Sequence, residues 1–210
     1  ILFMRIFFIL IAILYPYYLH SKVINLHYEI DWNSVHLADI FWNISIDRNE
    51  YDIEFLIKSY GLTDKIYKYE SLTSVNGYVQ DNQFKPLNYR SKTISSNQDV
   101  YSNINFNNDG KITSFDISKE INEDQIQMQR QMLDKYLYFT DPISQISQYF
   151  IYQNNSDRLI VDGLNVYKLI SEKISSINLS KKNPTIYKGE VDVLKLTFPF
   201  FQGLHKIDKK

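Results

Sequence analysis

The sequence predicts a mainly β domain of the α+β type, built from antiparallel strands with one or two helices. Three successive segments near the N-terminus alternate apolar and polar residues and are joined by short polar turns. Strict alternation with a period of two is typical of a strand with one buried and one solvated face. A later segment carries a helix start signal, so the expected arrangement is an antiparallel sheet packed on a helix.

The first three predicted strands form a meander, in which a short turn joins each strand to the next. They span residues 23–31, 38–46 and 51–57. Along the second strand, Ile40 and Trp42 fall on one face, whereas Asp39 and Asn43 fall on the other. The alternation therefore directs Trp42 toward the core or a cavity, and Phe41 toward the opposite face.

The rest of the chain continues this pattern less regularly. Further strands are expected at residues 69–79, 86–94, 100–106, 111–118, 158–161, 164–170 and 187–198. Asp-Gly pairs at 109–110 and 162–163 are hairpin signals. Asp141 followed by Pro142 indicates a helix start, because the carboxylate accepts hydrogen bonds from the first turn and proline needs no N–H there. Residues 119–135 are polar and form a linker or an exposed helix.

The composition indicates a single domain with a large core. The chain has 210 residues, of which 44% are hydrophobic, with 17 Tyr and 13 Phe. A formal net charge of −1 argues against a nucleic-acid-binding protein, which would carry a strongly basic face. Cysteine is absent, so stability depends on apolar packing without disulfides.

The N-terminal residues 1–21 have the pattern of a secretory signal. Arg5 precedes an apolar run over residues 6–14, and the small residue Ser21 follows near the expected cleavage point. This run is shorter than the roughly 20 residues that cross a bilayer. A cleaved signal is therefore favoured over an uncleaved anchor or a buried segment, and residues 22–210 are expected to form one periplasmic domain. Membrane contact is expected only through the N-terminal segment, if it stays attached.

Short motifs then follow one another in a recognisable order. They are YEIDW at 28–32, SYGLTD at 59–64, KPLNYR at 85–90, DPIS at 141–144, VDG at 161–163 and YKGE at 187–190. Over residues 25–205 this order resembles the bacterial envelope family catalogued as domain of unknown function 3108 (DUF3108).

The resemblance implies a curved antiparallel sheet or half-barrel packed on one or two helices, similar to periplasmic lipoprotein carriers. It implies no enzymatic activity. The chain departs from the family pattern in two ways: it has no Cys after the motif at 187–190, and it lacks a further C-terminal hairpin. We therefore expect the domain to be truncated at its C-terminus.

The titratable residues predict no catalytic residue, no cofactor and no metal site. No two of the histidines His20, His27, His36 and His205 have the i, i+4 spacing of a helical zinc site. The sequence contains no nucleophile elbow, and carboxylates such as Asp52 and Glu54 share a solvated strand face. Residues 105–116 resemble a calcium loop, but the alternating segment before them favours a hairpin.

Aromatic residues on or beside the predicted sheet are the one feature that suggests binding. An apolar sheet face can hold an acyl chain or a hydrophobic peptide. The alternative is that the rings only fill the core under the helix. The candidate ligand-binding residues are Trp32, Ile40, Trp42, Phe55 and Tyr89.

Two functions of different classes follow from the sequence. The first is a non-enzymatic periplasmic carrier that binds an apolar ligand such as a lipid, an acyl chain or a lipoprotein. The second is an envelope scaffold whose open sheet edge pairs with a strand of a partner protein. An envelope hydrolase is a more distant third. Nucleic acid is not an expected partner.

The predicted signal gives a first test. The exported protein should begin near Lys22, because signal peptidase removes a segment of this kind after a small residue. N-terminal sequencing of protein recovered from the periplasm measures this directly. A membrane-bound product that still carries Arg5 and the apolar run would show that the segment is an anchor.

Overall fold

The computed structural model describes residues 21–97, 99–118, 127, 131, 133–136, 138–179 and 189–203. The predicted signal segment lies outside these residues. Of the predicted linker or exposed helix at 119–135, the described positions 127, 131 and 133–135 are helical.

Seven antiparallel strands form a large sheet in which each strand pairs with its neighbours in the sequence. Among the described residues the first and last strands do not pair with each other, so the sheet is open and not a closed barrel. The strands are β1 (Ser21–Trp32), β2 (Val35–Asp47), β3 (Glu50–Ser59), β4 (Tyr69–Gln80), β5 (Gln83–Ser95), β6 (Asp99–Phe106) and β7 (Ile112–Ile117).

Tight turns set the register of the meander. Asn33 and Ser34 between β1 and β2 have φ angles of 49° and 64°, and Asp81 and Asn82 between β4 and β5 have 53° and 57°. Positive φ at both central residues is the geometry of a two-residue hairpin whose twist matches that of its strands. Asn33, Asp81 and Asn82 are of residue types that adopt positive φ more readily than most others, because their side chains can hydrogen-bond the nearby backbone.

A smaller sheet contains four strands in the order β11-β10-β9-β8. The short strands β8 and β9 pair in parallel, whereas β10 pairs in antiparallel fashion with both β9 and β11. The strands are β8 (Phe139–Thr140), β9 (Leu159–Val161), β10 (Asn165–Leu179) and β11 (Gly189–Gly203). The last two form a long hairpin on which Ile174, Ile177 and Leu196 are exposed.

Besides the helical positions at 127, 131 and 133–135, the described residues contain two further helices. The short helix α1 (Gly61–Ile66) joins β3 to β4 and buries none of its residues. The longer helix α2 (Pro142–Tyr152) begins at Asp141, whose carboxylate Oδ1 accepts hydrogen bonds from the N–H groups of Ile143 and Ser144 at 2.9 and 2.8 Å. The described part of the chain contains no helix both long and apolar enough to cross a membrane.

Helix α2 turns a polar stripe toward the protein interior. Asp141, Ser144, Gln145 and Gln148 recur at intervals of three and four residues, and all four are buried. Ser144 Oγ hydrogen-bonds Tyr51 Oη of β3 at 2.7 Å. The Gln148 amide oxygen accepts the backbone N–H of β5 residue Phe84 at 3.0 Å. Directional bonds therefore fix the position of the helix on the large sheet.

A glycine makes room for this contact. The ring of Tyr51 lies over Gly77, where an added Cβ would come within 2.9 Å of the ring and 2.2 Å of the Lys85 carbonyl oxygen. The same ring stacks on Phe84 with centroids 4.6 Å apart. Gly77 thus permits the close approach that lets the Tyr51 hydroxyl reach the helix.

One apolar core joins the two sheets and α2. The inner face of the large sheet, defined as the face that α2 covers, contributes Trp42, Ile44, Ile53 and Ile104. The smaller sheet adds Phe139, Val161 and Val166. The outer face of the large sheet carries mainly polar residues, as the alternation predicts.

The predicted fold class is confirmed, with differences in where elements end. Strand β10 extends beyond the predicted 164–170, because its pairing with β11 continues past the polar residues that end the alternation. Strand β11 extends beyond the predicted end at residue 198, because Phe200 and Phe201 pair with Lys168 and Tyr167. The loop at 105–116 is a hairpin between β6 and β7. Within it the Asn107 side-chain oxygen accepts the N–H groups of Asp109 and Lys111.

The buried cap of α2 predicts a pH-dependent stability. Burial raises the pKa of Asp141 from 3.8 to about 6, and its Oδ2 atom has no hydrogen-bond partner among the described residues. Because the folded pKa lies above the unfolded one, the contribution of this group to stability is complete below about pH 4. That contribution falls by about 3 kcal/mol as the pH rises toward about 7. Urea unfolding across this range measures it.

The variant Asp141→Asn keeps a capping oxygen but cannot ionise. Its free energy of unfolding should therefore rise relative to the parent as the pH increases through about 6. Glu54→Gln is a matched control, because Glu54 is exposed on the outer face. Parallel pH profiles for the parent and Asp141→Asn would contradict the assignment.

Candidate functional site

Part of the inner face of the large sheet is apolar but not covered by α2. Tyr28 and Ile30 of β1 are 43% and 40% exposed. Ile40 of β2 pairs with Tyr28 on one side and with Ile57 of β3 on the other, so the three side chains share this face. We call this surface the apolar shelf, and its members are Tyr28, Ile30, Ile40, Phe55, Ile57 and Phe150.

Three aromatic rings mark the boundary between the shelf and the core. Trp42 meets Phe55 of β3 and Phe150 of α2 edge to face, with ring centroids 5.3 Å apart in both pairs. Trp42 is 4% exposed, whereas Phe150 is 51% exposed. The rings therefore continue from the filled interior to the open surface.

The five residues predicted to bind a ligand fall into three environments. Ile40, Trp42 and Phe55 lie together at the shelf, with Ile40 and Phe55 half-buried. Trp32 is 69% exposed beside the turn that ends β1, and Tyr89 is 4% exposed in the core. The structure thus brings three of the five together, and contact of any of them with a ligand stays a prediction.

Tyr89 belongs to a row of hydroxyl groups on the inner face. Its hydroxyl lies beside Ser91 and Thr73, and burial raises its pKa. Thr73 donates to Ser91 at 3.2 Å, and Ser71 and Thr93 hydrogen-bond at 2.9 Å. These partners satisfy the hydroxyls within the fold, so this row serves strand pairing.

A polar groove on the outer face brings together residues that the sequence did not connect. His36 Nδ1 lies 3.0 Å from Asp31 Oδ1, and its Nε2 lies 3.4 Å from Asp39 Oδ2. His27 Nε2 lies 2.8 Å from the other oxygen of Asp39. Residues lining the groove are Glu29, Asp31, Ser34, His36, Asp39 and Tyr60. The sequence could have revealed this groove if the β1–β2 register had been counted outward from the Asn33–Ser34 turn, which places Asp31 opposite His36. Past the register shift between Ile30 and Asp31, Glu29 lies opposite Asp39.

Hydrogen bonds in this groove shift two pKa values. The hydrogen bond to Asp31, helped by Asp39, raises the pKa of His36. The hydrogen bond from His27, followed by that from His36, lowers the pKa of Asp39. The groove thus favours negative carboxylates facing imidazole rings.

Together these features define a class of protein: a mainly β domain with two open sheets. Helix α2 covers one part of the inner face of the large sheet, and the part near β1 is apolar and exposed. A family model described as "Protein of unknown function (DUF3108)" matches residues 27–206. The chain belongs to this family, which confirms the resemblance in its sequence motifs. A comparison with curated proteins gave no match, and a comparison with solved structures gave none.

The position of Trp42 predicts a large stability cost when its ring is removed. Trp42→Ala should lower the free energy of unfolding by about 3–5 kcal/mol, because the buried indole packs against two rings. Phe41→Ala is a matched control on the opposite face, where Phe41 is 38% exposed, and should cost about 1 kcal/mol or less. Urea unfolding measures both. Equal small losses would mean that Trp42 borders a cavity and is not part of a packed core.

Proposed function

We propose that the protein is an exported, non-enzymatic binding protein of the bacterial envelope. Its apolar shelf receives an extended apolar segment of a partner protein, which pairs with the free edge of β1. The observation that carries this proposal is the position of the shelf, which begins on the edge strand of the large sheet.

The edge of β1 is suited to pairing with another strand. The strand is 12 residues long, and among the described residues it pairs only with β2. An exposed edge presents unpaired N–H and C=O groups that an extended peptide can use. Alternate side chains of such a peptide would point to the same side as Tyr28 and Ile30. The backbone would supply affinity, and the shelf would select apolar side chains.

The openness of the shelf favours a protein partner over a small molecule. Pockets for small ligands bury about 70–90% of the ligand surface. Tyr28, Ile30 and Phe150 remain about half exposed at the rim. A partner segment that adds a strand would cover the shelf with its own side chains and exclude water from it.

An acyl chain is a second candidate occupant of the same shelf. The observation in its favour is the indole N–H of Trp42, which is buried and has no hydrogen-bond partner among the described residues. Binding sites for apolar ligands combine an apolar lining with a few polar groups that orient the ligand. A ligand that displaced Phe150 could place a carboxyl or ester oxygen on this donor.

Support for the envelope location comes from the sequence. Residues 1–21 have the charge and apolar run of a secretory signal.

Photo-crosslinking in bacteria that export the full chain tests the proposal. A benzoylphenylalanine placed at Tyr28 should form a specific adduct containing a second polypeptide, identified by mass spectrometry. The same probe at Val23 is the matched control, because Val23 lies on the same strand, is 62% exposed and faces the outer side. Ile30→Asp should abolish the adduct, since an unpaired charge on the shelf opposes burial.

The outcome also separates the two candidates. A lipid adduct at Tyr28, together with saturable quenching of tryptophan emission by a fluorescent fatty acid, would show that the shelf binds an acyl chain and not a partner protein. Adducts at Tyr28 no stronger than those at Val23, without fatty-acid binding, would exclude both.

A further inference from the structure

The polar groove on the outer face contains a set of metal-ligand atoms. One carboxylate oxygen each from Glu29 and Asp31 and one ring nitrogen of His36 lie within 4.8 Å of one another. Around a tetrahedral zinc ion with bonds of about 2.0–2.2 Å, donor atoms are roughly 3.3–3.6 Å apart. Glu29 and Asp31 are exposed, so small rotations of their side chains would close the remaining gap.

A second layer of contacts holds the imidazole in place. The His36 nitrogen that does not face Asp31 points to Asp39, and His27 contacts the other oxygen of Asp39. The Tyr60 ring packs edge to face against the His36 ring at a centroid distance of 4.5 Å. Metal-binding histidines commonly donate their second N–H to a carboxylate in this way, which fixes the tautomer and the ring orientation.

The charge balance of the groove also favours a cation. Three carboxylates converge there, and in the described part of the chain no lysine or arginine forms an ion pair with any of them. Among the described residues, Glu29 takes part in none of the side-chain hydrogen bonds or ion pairs of the groove. Its carboxylate is therefore free to enter a coordination shell without breaking a contact.

We propose that this groove binds a divalent transition-metal ion of the zinc type. Glu29, Asp31 and His36 are the ligands, with Asp39 and His27 as the supporting layer. An imidazole among the ligands suits zinc, copper or nickel, whereas calcium and magnesium prefer oxygen atoms alone. The three ligands leave positions for water or for a group supplied by a partner. This site lies on the face of the β1–β2 hairpin opposite the apolar shelf and does not depend on the proposed partner.

Metal titration of the full chain tests the assignment, using an affinity tag without histidine. Isothermal titration with Zn²⁺ should give saturable binding of one ion per chain, whereas Mg²⁺ should give none. Co²⁺ at the same site should produce a visible absorption band that depends on the imidazole ligand. Both readouts are independent of any activity.

Variants distinguish this groove from other histidines in the chain. Glu29→Gln should weaken Zn²⁺ binding without changing the melting temperature of the metal-free protein, because Glu29 has no hydrogen-bond or ion-pair partner among the described residues. His36→Ala should abolish the one-to-one binding and the Co²⁺ band. Asp39→Asn, in the supporting layer, should weaken binding by about 10–100-fold. Glu54→Gln is the control, since it removes an exposed outer-face carboxylate outside the groove.

Two outcomes would overturn the proposal. One is the absence of saturable Zn²⁺ binding, which would leave the groove as a set of cross-strand hydrogen bonds. The other is stoichiometric binding that Glu29→Gln and His36→Ala both leave unchanged, which would place the ion elsewhere.

Discussion

The hydrogen bond between Tyr51 of β3 and Ser144 of α2 is the contact on which the arrangement of the molecule depends. An apolar helix face could slide over an apolar sheet at little cost, but a buried hydroxyl left without its partner costs about 1–3 kcal/mol. The bond from Phe84 to Gln148 adds a second fixed point two strands away. These two bonds specify which part of the inner face α2 covers. The part near β1 consequently stays bare, and the shelf is the result of where the helix is anchored.

The β1–β2 hairpin carries two different surfaces on its two sides. Alternation places Tyr28 and Ile40 on the inner side and His27 and Asp39 on the outer side. A slip of one residue in the pairing would exchange these sets, placing charges on the shelf and apolar residues in the groove. The two-residue turn at Asn33 and the cross-strand contacts of Asp39 both oppose such a slip. The same register thus determines both surfaces.

The sequence was sufficient to predict the elements whose signals are local. Alternation located the strands, and the Asp-Pro pair located the start of α2 at residue 142, because capping involves only neighbouring residues. The parallel pairing of Phe139 with Leu159 had no local signal, since it depends on the chain returning after the helix. The groove was missed for a similar reason: a search for helical spacing cannot find His36 and Glu29, which meet across two strands. Tyr89 is buried in the core and Ile40 lies on the shelf because of where α2 packs on the sheet. The sequence pattern carries no information about that position.

The sequential order of the large sheet has a consequence for how the chain assembles. Among the described residues, every strand from β1 to β7 pairs only with its neighbours in the sequence. Each hairpin can therefore close as soon as its second strand leaves the ribosome or a translocation channel. The segments that cover the inner face, α2 and the smaller sheet, come later in the chain. A nascent chain therefore passes through a stage in which Ile44, Ile53 and Ile104 are already aligned on an uncovered sheet. That stage is the period of greatest exposure to aggregation and to chaperones, and it ends when α2 and the smaller sheet cover the inner face.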